Sequence, residues 1–183
     1  MNLTEDQAIE LSKSIALFPE YHLTGFERGI GITQEEAIER GSELGDGLVV
    51  AGYVERDGDD FYSSAIVIDG DRSFNVRKSE PWGRSEGSWL SGSHHPPAPI
   101  DLSIGRTLIL LCVDAFETRY GARKRAIEIW GGIGVEWVIV PSYWEGDIDR
   151  YLIRRGVWRL ARALGARWMV SDWFHGERYW WER

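Results

Sequence analysis

Hydrophobic positions along this chain follow two periods, and the switches between them divide it into elements. Residues 4–11 (TEDQAIEL) place Ala8, Ile9 and Leu11 on one helical face, with Thr4 as an N-cap and Gln7 three positions on. SIALF (14–18) is a short apolar run closed by Pro19, which reads as a buried strand ending at Glu20. The helical period returns in ITQEEAIERGSEL (32–44), where Thr33 caps and Glu36 stands at the third position. LVVAGYV (48–54), FYSSAIVI (61–68) and SFNVRK (73–78), separated by the turns RDGDD and DGD, predict a β-meander.

The second half reads differently. TLILLCV (107–113) and VEWVIVP (135–141) are nearly continuous apolar runs, the pattern of strands covered on both faces. FETRYGARKRAIEIW (116–130) has helical character. A longer helix over about 147–164 aligns Ile148, Leu152, Ile153, Val157, Leu160, Ala161 and Leu164 and stops at Gly165, and ARWMVSDW (166–173) is a last strand before an aromatic tail. Helices alternating with buried strands around a hairpin section predict an α/β fold. Residues 79–106 have Gly, Ser and Pro but little periodicity, so a lid or pocket wall is expected there. No linker and no internal repeat divides the sequence, so residues 1–183 are read as a single domain.

Composition narrows the function. Twenty-nine acidic against 21 basic residues give a formal charge of −8, which argues against a nucleic-acid surface. No stretch approaches the roughly 20 apolar residues of a membrane span. The acidic N-terminus is unlike a signal peptide, so a cytoplasmic location is expected. Cys112 is the single cysteine, which excludes an internal disulfide and a cysteine-rich zinc site. His94-His95, His22 and His175 lack ligand-like spacing, so no metal and no other cofactor is expected. No GxSxG elbow and no GxxxxGK[ST] loop is present, and Gly131-Gly132-x-Gly134 stands in the wrong order for a dinucleotide fingerprint.

Three groups remain at strand ends: Glu20 after SIALFP, Lys78 after SFNVR, and Cys112 after TLILL. Each has an ordinary alternative, since a lone Cys in an apolar run is usually a small buried hydrophobe and Glu or Lys beside a turn is usually solvated. Taken together, a carboxylate, a cation and a thiol are what nucleophilic acyl transfer needs.

Five segments in order resemble the carbon–nitrogen hydrolase (nitrilase) superfamily: LFPEYHLTGF (17–26), GLVVAGYVERDGDDFYSSAIVIDGD (47–71), FNVRKSEPWG (74–83), LILLCVDAFE (108–117) and GVEWVIVPSYW (134–144). The resemblance implies a nitrilase-like α-β-β-α sandwich, truncated relative to the family at both ends. It implies that Glu20 is the general base, Lys78 the catalytic lysine and Cys112 the nucleophile. It also implies a second carboxylate between Lys78 and Cys112, for which Glu86 is the first candidate and Glu80 the second. Val113 would offer its backbone N–H to the developing negative charge, Asp114 would brace the turn after the nucleophile, and Tyr143 and Trp144 would line the substrate pocket. Three places depart from the family: Val113 replaces an aromatic residue, Ala115-Phe116-Glu117 stands where Arg-Phe-Pro-Glu often follows, and Ser63 stands where the Asn of a Tyr-Asn step is common.

The expected activity is thiol-dependent hydrolysis of a non-peptide carbon–nitrogen bond in a small amide, carbamoyl compound or nitrile. The alternative is a catalytically weak or inactive nitrilase-like binding module, with the tail WFHGERYWWER as an interface. Acyl transfer ranks below both, because the family branch that RKSEPWG is similar to is membrane-embedded. An incomplete sheet leaves an edge to cover, so a homodimer or higher oligomer is expected.

Overall fold

The computed structural model describes residues 14–115, 127–143, 147–172 and 178–181. The helix expected over 4–11 and most of the one expected over 116–130 lie outside these residues, as does Trp144. Residues 127–130 are helical.

The first sheet has the order β1 (Ile15–Leu17), β2 (Leu48–Asp57), β3 (Asp60–Asp69), β4 (Arg72–Arg77). β1 lies parallel to β2, and β2, β3 and β4 form the antiparallel meander. Helix α1 (Gln34–Ser42) covers its outer face, with Ala37 packed among Val49, Ala51, Tyr53, Ile66 and Ile68. Its start is the capping box read from the sequence: Glu36 N–H donates to Thr33 Oγ1 at 3.3 Å, and Thr33 N–H donates to Glu36 Oε2 at 2.8 Å.

The second sheet runs β5 (Ile100–Leu102), β6 (Gly105–Ile109), β7 (Trp137–Ser142), β8 (Arg167–Asp172), β9 (Arg178–Trp181). Its centre, β6 to β8, is parallel, and the two outer strands are antiparallel to their neighbours. The long helix α3 (Asp147–Leu164) lies on its outer face and buries Val157, Leu160 and Ala161 against Val138, Val140 and Val170. Between the sheets, Ile15, Leu17, Val50, Val67 and Val76 meet Ile109, Leu111, Ile139 and Met169. Four layers result, helix–sheet–sheet–helix, as the apolar runs demanded: a strand buried on both faces needs a partner on each.

Four expectations need correcting. β1 ends at Leu17, so Glu20 sits in the turn beyond the strand rather than at its last position. Residues 79–106 are not one long loop; they hold the short helix α2 (Gly83–Gly87), β5 and the start of β6, and Trp89 and Leu90 of this segment pack with Tyr21 and Tyr143. The apolar run 107–113 leaves the sheet early, because Cys112–Ala115 turn into a 3-10 helix. The aromatic tail contributes β9, paired with β8 in the register Met169↔Trp180, where its Tyr and Trp content suits strand pairing better than an irregular end.

Close packing at one point sets where Glu20 lies. Gly52 in the middle of β2 faces the turn after β1, and Gly52 N–H donates to Pro19 O at 3.2 Å. A methyl group at Gly52 would overlap Glu20 Cα and come within 2.7 Å of Pro19 O and 2.8 Å of Tyr21 N, all backbone atoms without rotamers to yield. Gly52→Ala is therefore expected to cost about 1–3 kcal/mol of stability in chemical denaturation, the range for overpacking. A variant as stable as the parent would contradict this packing.

Candidate active site

The site is assembled at one end of the sandwich, from the exits of β1, β4 and β6. After β1 the chain turns through Pro19–Glu20–Tyr21, and Tyr21 takes φ 66°, a left-handed conformation that a bulky residue adopts only under constraint. The Gly25 and His22 N–H groups close this turn onto Tyr21 O and Pro19 O. Glu20 ends up fully buried. Lys78 follows β4 and continues its pairing, its N–H donating to Ser63 O at 2.8 Å, and its side chain is 1% exposed.

The Lys78 ammonium lies between two buried carboxylates. Nζ donates to Glu20 Oε1 at 2.9 Å and to both oxygens of Glu86, at 2.9 and 2.8 Å. Glu86 belongs to α2, which folds the segment after Lys78 back over it; Tyr21 OH donates to Glu86 Oε1 at 2.8 Å and Trp82 N–H to Oε2 at 2.6 Å. Glu80, the second candidate for the additional carboxylate, is half exposed and lies 3.5 Å from the exposed His94, away from Lys78. Ser63 Oγ donates to Glu20 Oε1 at 2.5 Å. Glu20 Oε2 is buried and has no hydrogen-bond partner among the described residues.

Cys112 opens the 3-10 turn with φ 43°, a second strained backbone position, and its side chain is nearly buried. Its thiol donates to Tyr143 O at 3.7 Å. Val113 is buried beside it, and the Asp114 carboxylate accepts Ser79 N–H at 2.9 Å, tying the turn after Cys112 to the residue after Lys78. The Tyr143 ring joins Tyr21, Phe26, Phe61 and Trp89 in an aromatic wall closed by Val54 and Leu90.

Charge in this buried space decides the protonation states. Burial works against the Lys78 ammonium, but the Glu20, Tyr21 and Glu86 oxygens outweigh it and hold its pKa well above the ordinary lysine value. Burial raises the Glu20 carboxyl, and the Glu86 charge adds to this against the pull of Lys78 and Ser63. Burial and the Glu20 charge push the Cys112 thiol well above its usual range, so the resting sulfur carries its proton. Burial also raises Asp114, to about 7.

Of the residues expected from sequence, the structure brings Glu20, Lys78 and Glu86 into direct contact and sets Cys112 where both charges of the Glu20–Lys78 pair act on it. Asp114 and Tyr143 adjoin it from the Cys112 side. Sequence reading passed over Tyr21 and Ser63; Tyr21 directly follows Glu20, and Ser63 was noticed only as a departure from the family pattern. Among the described residues no cluster of three or more His, Cys, Asp or Glu is arranged to hold a metal ion. No helix among them is long and apolar enough to cross a membrane.

Removing the cation leaves two carboxylates facing one another in a buried space. Lys78→Met is expected to cost about 3–5 kcal/mol of stability at neutral pH. Part of that loss should return as the pH falls and a carboxylate takes up a proton. Urea denaturation across pH checks this, and a loss below about 1 kcal/mol at pH 7 would mean that the contacts around Nζ contribute little.

No protein-family model and no curated protein matches the sequence. Solved structures do match the fold. The chain superposes on Saccharomyces cerevisiae Nit3, a member of branch 10 of the nitrilase superfamily, with a TM-score of 0.68 and 17% identity, over 91% of this chain and 65% of that one. The nitrilase-superfamily amidase of Nesterenkonia AN1 matches with a TM-score of 0.61 and 17% identity, over 90% and 65% of the two chains. A carbon–nitrogen hydrolase from Helicobacter pylori G27 matches with a TM-score of 0.62 and 15% identity, over 96% and 71%. The chain thus spans about two thirds of the length of these proteins. The described residues thus have the α-β-β-α sandwich fold of these nitrilase-superfamily structures.

Proposed function

We propose that this chain hydrolyses a non-peptide carbon–nitrogen bond in a small amide, carbamoyl compound or nitrile, through a thioester on Cys112. The observation that carries the reading is the buried ammonium of Lys78 held between Glu20 and Glu86, beside a strained cysteine and a carboxylate oxygen, Glu20 Oε2, without a partner. A structural ion pair alone accounts for neither the free oxygen nor the left-handed cysteine. The fold neighbours support the reading, and in a Glu-to-Gln mutant of the Nesterenkonia amidase acrylamide and the acetamide moiety of fluoroacetamide add covalently at the active-site cysteine.

For an amide, Cys112 Sγ attacks the carbonyl carbon while its proton passes to Glu20. Because the resting thiol is held protonated, proton removal accompanies attack rather than preceding it. The electron pair of the C=O π bond moves onto oxygen, where the Lys78 ammonium and the Val113 N–H stabilise the charge. The tetrahedral adduct collapses, the carbon–nitrogen bond breaks, and Glu20 gives its proton to the leaving amine. Water then attacks the thioester, losing its proton to Glu20, and the acid departs as Sγ recovers that proton. Lys78 stays charged throughout; Glu86, Tyr21 and Asp114 hold Lys78 and the Cys112 turn in position. The aromatic wall of Tyr21, Phe26 and Tyr143 favours a compact acyl group with apolar surface.

Fluoroacetamide is a direct probe. Intact-mass analysis is expected to show one adduct on the protein, absent in Cys112→Ser and slowed at least about tenfold in Glu20→Gln, within the range for loss of general-base assistance. An inert thiol under these conditions would favour the binding-module reading, and labelling of equal rate in Glu20→Gln would remove Glu20 as the base.

A further inference from the structure

We infer that Ser63 is a positioning residue that fixes which oxygen of Glu20 takes the thiol proton; this rests on the hydrolase reading above. Residues 63 and 78 lie side by side on the inner face of the first sheet. The register pairs Ser64 with Arg77 and Ala65 with Val76, and Lys78 N–H extends it by donating to Ser63 O. Both side chains therefore reach Glu20 from the same direction. They end on the same atom: Ser63 Oγ donates to Oε1 at 2.5 Å and Lys78 Nζ at 2.9 Å. Oε2 is left buried, without a hydrogen-bond partner among the described residues.

A buried carboxylate oxygen without a donor is costly, and in a native site such an exception calls for a reason. The reason here is division of labour. Lys78 alone would leave Glu20 free to turn about its terminal torsion, which is soft and nearly two-fold. A second donor, arriving from a rigid central strand, fixes the carboxylate plane and keeps Oε2 as the free base. A Ser hydroxyl suits the role because it donates without adding charge to a space where Lys78 and Glu86 act on Glu20 and Glu20 in turn acts on the Tyr21 phenol, the Cys112 thiol and the Asp114 carboxyl.

Alkylation of Cys112 by iodoacetamide reads this without knowledge of the substrate: sulfur displaces iodide, and the thiol proton goes to Glu20. Rates are measured across pH for the parent chain, Ser63→Ala, Ser63→Thr and Glu20→Gln, each checked for folding by circular dichroism and thermal melting. Ser63→Ala is expected to react roughly tenfold more slowly at neutral pH, as for loss of a hydrogen bond to a charged group. Its acid limb should move to higher pH, because a donor to the ionised carboxylate has been removed. Ser63→Thr, which keeps the hydroxyl, should return the profile towards the parent. An unchanged limb in folded Ser63→Ala, or a Ser63→Thr displaced as far as Ser63→Ala, would overturn the assignment to Ser63 while Glu20→Gln still slows the reaction. A Glu20→Gln that alkylates like the parent would instead overturn the base itself, and the Ser63 inference with it.

Discussion

The site depends on one buried cation. Lys78 is 1% exposed, yet it keeps its charge because two carboxylates meet Nζ within hydrogen-bond distance. Each charge alone would be intolerable there: an isolated ammonium or carboxylate in an apolar interior gives up its charge rather than stay. Together they form an array whose members must be present at once. That array links the exit of β1, the exit of β4 and helix α2, so the fold closes around it from three directions.

Two left-handed residues follow from the same constraint. Glu20 has to turn back over Gly52 to reach Lys78, and Tyr21 takes the strained conformation that this requires while its hydroxyl secures Glu86. Cys112 leaves β6 through a comparable strain, and Asp114 anchors the turn to the backbone beside Lys78. Such strain persists where the surroundings over-determine it: the central parallel strands and α3 support Cys112, and Val54, Leu90 and the aromatic wall support Tyr21. Burial, with the Glu20 and Glu86 charges adding to it, has a chemical consequence on the proposed reading. It keeps the thiol protonated at rest, so the nucleophile is made only when a substrate is there to receive it.

Much of this was legible from residue patterns, for identifiable reasons. The capping box at Thr33 and Glu36 is local chemistry, and the structure shows it complete. The meander and the doubly covered strands follow from hydrophobic period, and the fold inferred from the five segments is the one observed. Strand ends were less legible: β6 stops at Ile109 although the apolar run continues to Val113, because a buried 3-10 turn is as apolar as a strand. The pairing of the tail as β9 depends on an open edge of β8, which no local signal announces. Side-chain partners over long separations were least legible of all. The contacts Tyr21–Glu86 and Ser63–Glu20 join residues 65 and 43 positions apart, and only the register of the strands together with the fold-back of α2 brings them together.

The charge state of Lys78 is the most direct test. Lys78 is one of only three lysines, so nitrogen-15 labelling of lysine gives a spectrum in which its side chain can be assigned. With its proton affinity raised in the folded state, Lys78 contributes stability that is complete below the ordinary lysine pKa of about 10.4 and is lost only as the pH rises through the folded value. A pH titration of that nitrogen resonance is therefore expected to show an ammonium, slow to exchange its protons, from pH 5 to beyond about 10. A resonance that titrates to the neutral amine below the usual lysine range would contradict the account.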